Sequence, residues 1–495
     1  MRASLNKQRG VVLLIMAVVM IMAAIAFLLT RVSVDELKIE RQNDTATALK
    51  NAKQALLAYA VTNWAIIGEG GKLGKLPCPD YNNAPAEGQE DGNCGSAFAN
   101  AIGYFPWRTV GVDLQADSSG SCLLYAVSPA YKKSPVSVLN PDSYGQFQIV
   151  DSNGLVIQGA SPEDRPVAVI IAPGYALPGQ ARNNNDTTVC GFDYNNIGAY
   201  LDNNGVTDNA AINTGINNII DRFVQMSHDS DTAANPLNDR LVTITYDEYW
   251  NTMQSTIESA EFNNRMQELT EALAMCFAEF GNNNTNHLPM PALLNLAGGE
   301  YRWRNDYQDS GNFTSGFSGR LPYNVARAHA ELLNATDDDV ITNNSYCDGL
   351  ELASTAGPDN IRFSDDAGGD IGAFLDRWHN WQDHFFYAIS KAHNPNVATV
   401  NPCAGNCITV GGVEYAGVVM FAGLKNGQTR YAPPFDAALA GDGVDDKDDV
   451  INYLEELRNI GFPNDAGNEA YAISGAGSND ILYCIRTDMS VVECL

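Results

Sequence analysis

The chain has 495 residues, and 30 Lys plus Arg stand against 59 Asp plus Glu, a formal net charge of −29. That balance excludes a nucleic-acid binder, which needs lysines and arginines to meet phosphate, and the basic residues cluster only in the first ten positions. A 45% apolar content excludes global disorder, and ten cysteines without a CxxC pattern favour an oxidising compartment.

Arg2, Lys7 and Arg9 precede Gly10 with no acid among them, and residues 11–30, VVLLIMAVVMIMAAIAFLLT, carry no charge. A run of this length is expected to cross a bilayer as a helix, with the basic flank in the cytoplasm and everything after Arg31 exported. A plain signal anchor and a secretory signal peptide cut after Ala24-Ile25-Ala26 are two other readings of the run. Neither accounts for the helical continuation beyond it, because no Gly or Pro occurs from Val11 to Trp64. Val34, Leu37, Ala48, Ala52, Leu56 and Tyr59 recur at steps of three and four or their sums, with Leu49 adjoining Ala48, so one helical stripe faces a partner. Polar Arg41 and Thr45 interrupt it. At 1.5 Å per residue the rod would reach about 80 Å.

A short basic leader ending in Gly10, an uncharged stretch from Val11 and a long amphipathic extension into a globular head resemble the type IV pilin and type II secretion pseudopilin superfamily over residues 7–60. The resemblance implies cleavage after Gly10 by prepilin peptidase, methylation of the new N-terminal Val11, and packing of the apolar helix against other pilin or pseudopilin subunits. It also implies a single-pass inner-membrane protein with a periplasmic head, later carried in a pilus or pseudopilus. One residue departs from the pattern: the fifth mature position, usually glutamate, is Ile15. A glutamate there neutralises the terminal amine of a neighbouring subunit, and an unpaired charge in apolar surroundings is costly. A subunit without it suits a tip, where no earlier amine is met, and the family's large minor pseudopilin and some minor pilins share the lack. Val11 in place of the usual Phe is a smaller departure.

The head reads as a duplication. LPCPD at residues 76–80, GYFPW at 103–107 and CLLYAVS at 122–128 recur in order as LPMP at 288–291, GRLPY at 319–323 and HFFYAIS at 384–390. VAVIIAPGYALPGQAR from Val167 aligns with VVMFAGLKNGQTR from Val418, and NDRLVTI from Asn238 with NDILYCI from Asn479. β-branched and aromatic runs at 123–127, 167–171 and 241–245 read as strands, and residues 261–280 as a second helix. The expected fold class is therefore α+β: a long N-terminal membrane-spanning helix, then two duplicated pilin-like lobes, each a helix on an antiparallel sheet. The domains are a prepilin leader at 1–10, the transmembrane and amphipathic helix at 11–64, a first lobe at 65–255 and a second at 256–495. The boundary near 247–260 is itself expected to be helical and to couple the lobes.

Loops such as Asn183 to Asp186 and Asp202 to Gly205 are rich in turn-forming Asn, Asp and Gly. Asp442, Asp445, Asp446 and Asp448 form the densest acid cluster, and two readings stand beside it: a calcium site, or an acidic cap on a helix at 450–458. It is not an EF-hand, because Gly443 is misplaced and no glutamate closes the loop. His379, His384 and His393 are spaced by five and nine, which fits no single-face zinc pair, so they read as structural. Among the cysteines, Cys403 with Cys407, Cys484 with Cys494 and Cys78 with Cys94 are candidate staples, while Cys276 reads as a buried thiol on a helix face.

No GxSxG, HExxH, P-loop or GxGxxG motif occurs, and no catalytic residues are assigned. The leading expectation is a minor pilin or pseudopilin at or near a filament tip, with prepilin peptidase, other subunits and the inner membrane as partners and calcium as the one cofactor considered. The alternatives are a filament-displayed adhesin, for which the enlarged double head speaks, and a membrane-anchored exported enzyme.

Overall fold

The computed structural model describes residues 5–31, 34–65, 74–82, 86–96, 99–134, 139–141, 143–182, 189, 194, 196–212, 220–225, 237–257, 260–283, 285–292, 317–322, 380–395, 400, 403–423, 453–454, 468, 470–471 and 480–494. Helix α1 covers Leu5–Arg31 and α2 covers Val34–Ala65. On α2, Thr45, Leu49, Ala52, Leu56 and Ala60 are buried at steps of three and four, the stripe that pins this helix to a sheet. Thr45 does not break that stripe. Its hydroxyl donates to Ser118 Oγ and accepts from the Ser118 N–H, both at 3.1 Å, so a buried polar group is satisfied in place.

Seven strands come next: β1 Ala101–Tyr104, β2 Leu124–Val127, β3 Phe147–Val150, β4 Val156–Gln158, β5 Pro166–Ala172, β6 Asp221–Val224 and β7 Arg240–Thr245. Helices α3 Tyr246–Ile257 and α4 Ala260–Asn283 connect them to β8 Ser318–Arg320, β9 Phe385–Ile389, β10 Ile408–Val410, β11 Val413–Tyr415, β12 Gly417–Phe421, β13 Ala470–Tyr471, β14 Ile481–Ile485 and β15 Val491–Glu493. The pairings give four sheets, ordered β1-β2-β5-β7, β4-β3-β6, β8-β9-β12-β14-β15 and β11-β10-β13. The two large sheets are antiparallel and share a register. Gly103 opposes Tyr125 as Gly319 opposes Tyr387, and Ala168 opposes Ile244 as Gly417 opposes Ile485. This register gives Val169, not Val167, the place that Val418 holds in the other sheet. In each small sheet an antiparallel hairpin partner and one parallel partner flank the middle strand.

The large sheets are covered on both faces. Leu123, Tyr125, Val127, Val167 and Ile170 point into a core shared with α2, α3, α4 and the alternate residues Phe385, Tyr387, Ile389, Val419 and Tyr483 of the other large sheet. The opposite face of the first sheet packs Leu124, Ala126, Val169 and Ile171 against Phe147, Ile149 and Phe223 of its small sheet. Phe386, Ala388, Val418 and Met420 do the same against Ile408, Val410 and Tyr471. This is why β2, β5, β9 and β12 are continuous apolar runs without polar alternation. A buried polar clasp also joins the halves: Asn140 Nδ2 donates to the Asn380 carbonyl at 2.9 Å and to Asp383 Oδ1 at 2.7 Å.

Two expectations are corrected by this architecture. Among the described residues no helix is long and apolar enough to cross a membrane. The expected fold class, a membrane-spanning helix followed by two pilin-like lobes, gives way to four separate sheets, with the large ones buried on both faces where a pilin-like head would bury one. The single-pass inner-membrane placement with a periplasmic head is overturned by the same helix finding.

Candidate functional site

Gly10 and Val11 lie within α1. From Val11 to Met22 every large apolar side chain on this helix is solvent-exposed, from 46% at Val18 to 74% at Leu13, with Ile15 at 56%. Scattered exposed apolar residues are ordinary, but a contiguous run around a whole helix surface is not. Burying each such side chain is worth about 1.5–3 kcal/mol, so the helix gains most of its stabilisation only when another surface covers it. The chemistry on offer is apolar and uncharged, since Ile15 presents a branched hydrocarbon where a carboxylate would otherwise pair with an amine.

The other sequence-derived positions divide into those the structure brings together and those outside its description. Asp442, Asp445, Asp446 and Asp448 lie outside the described residues, as does His379. Among the described residues no group of three or more His, Cys, Asp and Glu is arranged to hold a metal ion. Cys78–Cys94, Cys403–Cys407 and Cys484–Cys494 are disulfides, with Cα separations of 5.4, 4.9 and 5.3 Å. Cys276 is buried on α4, and it is disulfide-bonded rather than a thiol. Such bonds persist in oxidising surroundings.

His384 and His393 are fully packed. His384 Nδ1 donates to the Ala422 carbonyl at 3.1 Å, and its ring meets Trp381 and Tyr453 edge-on. His393 closes the turn after β9 through Ser390 Oγ at 2.7 Å, in the place that Tyr131 holds after β2. Burial, aided by His287, pushes its pKa down to about 4, so it stays neutral. A serine bonded to a histidine invites a nucleophilic reading, but both side chains are sealed from solvent and serve the turn.

Sequence reasoning missed a strongly perturbed carboxyl of the first half. Asp80, at the end of LPCPD, accepts hydrogen bonds from the Gly88 N–H at 2.7 Å, the Tyr194 hydroxyl at 3.1 Å and the Asn82 N–H at 3.3 Å. Burial pushes its pKa up to about 6 against these donors, and Asp91 adds to the rise. No motif signals this; the donors come from Gly88 and from Tyr194, 114 residues away. Because the folded pKa lies above the unfolded one, Asp80 favours the fold in acid, and that contribution fades as pH rises from about 4 through about 6. Asp80→Asn should flatten this part of the profile: the fall in melting temperature across that window, a few degrees, should shrink in the variant when both are scanned by thermal denaturation.

Compared with known protein families, with curated proteins and with solved structures, the chain matches none.

Proposed function

We propose that this chain is a minor subunit of a pilin-type or pseudopilin-type filament, cut after Gly10 by prepilin peptidase and assembled through α1 at or near the tip. The observation that carries the reading is the unbroken exposure of apolar side chains from Val11 to Met22 on the helix that precedes α2 in the chain. A surface of that kind needs a partner, and equivalent helices of other subunits would cover it in a dry bundle. Ile15 supports a position where no neighbouring amine has to be neutralised. The role is structural: among the described residues, His393 is spent on a turn and Asp80 on joining loops. Disulfides and a strongly acidic surface suit a head displayed outside the reducing cytosol.

The test is the intact mass and N-terminal sequence of the protein co-expressed with a prepilin peptidase, beside Gly10→Ala. The expected product lacks residues 1–10 and begins with a methylated Val11, and the substitution abolishes cutting. A chain left uncut, or cut equally well without the glycine, overturns the proposal.

A further inference from the structure

At the start of β7, two carboxylates are interlocked. Asp202 Oδ2 accepts the N–H of Asn238 at 2.5 Å and of Asp239 at 2.7 Å, while Asp239 Oδ2 accepts the Asp202 N–H and Asn209 Nδ2, both at 2.8 Å. Each residue caps the other's backbone, so the carboxylates are close, and each is 1% exposed. The second oxygen of each, Oδ1, is buried with no hydrogen-bond donor.

The groups around the pair do not supply the missing donor. Arg182 is the facing cation, but its guanidinium is committed to the carbonyls of Pro173, Gly174, Ala199 and Tyr200, to Ser121 Oγ and to Gln180 Oε1. Its plane lies over the Tyr200 ring. Asp117, the other nearby acid, accepts from the N–H groups of Gly174, Ser119 and Ser121. Two ionised carboxylates held this closely and away from water repel strongly, and Arg182 offsets only part of that.

One proton resolves both problems, since it removes a charge and turns an orphan oxygen into a donor. We infer that Asp202 and Asp239 share a single proton, carried on Asp239 Oδ1 and donated toward Asp202, and that this proton latches residues 199–209 onto the start of β7. The electrostatics agree: burial first and the Asp202 charge second hold Asp239 well above the usual carboxylate range, and burial raises Asp202 as well. The latched segment contains a small hairpin, with Asn203 bridged to Asp208 and Val206 74% exposed at its tip. A raised folded pKa means that the latch is closed in acid and opens as pH rises through its titration, when the proton leaves to solvent. The device therefore ties the presentation of an apolar loop tip to ambient pH.

The experiment compares the full chain with Asp239→Asn, whose amide N–H supplies a permanent donor while its oxygen keeps the existing bonds. Amide hydrogen exchange of residues 199–209 is read at about pH 5 and about pH 8 as protection factors, which removes the intrinsic pH effect. The expected result is a fall in protection of at least about tenfold in the natural chain at the higher pH, and little change in the variant. Equal pH responses in the two proteins overturn the inference. Asp202→Asn is the reciprocal variant, and a carboxyl carbon NMR titration of the natural chain needs no variant at all. Two carboxyls titrating in the ordinary aspartate range overturn the proposal, as does restoration of protection by calcium chloride at the higher pH, which would assign the orphan oxygens to a cation.

Discussion

Lys132→Met should lower the unfolding free energy by about 3 kcal/mol, roughly what is lost when buried acceptors are left without donors. Lys132 comes directly after the turn that ends β2 and is fully buried. Its ammonium donates to the carbonyls of Cys94 at 3.2 Å, Ala99 at 2.8 Å and Ser96. Three N–H groups meet three carbonyls, so this one side chain serves as the hydrogen-bonding partner of a loop without regular structure of its own. The Cys78–Cys94 disulfide fixes one end of the same loop. Burial pushes the Lys132 pKa down to about 8, so charge on this lysine is less favourable in the fold than in water. Met removes that penalty, yet it also strips the three carbonyls of donors, and the second effect is the larger. Arg should not rescue the loss, because a planar fork cannot converge on three carbonyls set around a point charge. Denaturant unfolding of the three proteins reads the result directly; a Met variant as stable as the natural chain would show that the loop relaxes to water without loss.

Much of the architecture was legible where the pattern is local. The runs at 123–127, 167–171 and 241–245 lie within a residue of β2, β5 and β7, and the helix expected at 261–280 lies inside α4. The runs did not disclose the layer that covers their outer face. VAVIIA is buried along its whole length, and only continuous apolarity, without a polar face, carries that signal. The small sheets were illegible for another reason: β3 pairs in parallel with β6 across more than 70 residues, and strands of two to four residues have too little periodicity to read. Asp80, Lys132 and the Asp202–Asp239 pair were missed together, because each depends on contacts that only the folded chain creates. The disulfides are different, since their short separations of 4, 10 and 16 residues made them visible as spacings. The membrane expectation is not met, since among the described residues no helix is long and apolar enough to cross a bilayer.

Among the described glycines of the second half, Gly319→Ala should be the most damaging single methyl, at about 2–4 kcal/mol, and Gly103→Ala should repeat it more mildly in the first half. In both halves the Leu-Pro segment lies against the edge strand by a single bridge, Asp80 to Tyr104 and Ala292 to Arg320. In the second, the Ala292 N–H donates to the Arg320 carbonyl and the Arg320 N–H to the Ala292 carbonyl, each at 2.9 Å. A Cβ on Gly319 would overlap the Ala292 carbonyl, whereas one on Gly103 would sit 2.8 Å from the Asp80 carbonyl and from Pro79 Cβ. Backbone on a bridge cannot swing aside as a flexible side chain can, so β8 or the Leu-Pro segment must shift. The shift is worse at Gly319 because the next residue, Arg320, is fully buried with its guanidinium 4.6 Å from the rings of both Phe386 and Tyr453. Moving β8 displaces that cation from its aromatic slot, a loss of about 2 kcal/mol or more for a desolvated pair. Thermal unfolding of both alanine variants should therefore rank Gly319→Ala below Gly103→Ala; the reverse order would mean that the edge strand of the second sheet yields more readily than that of the first.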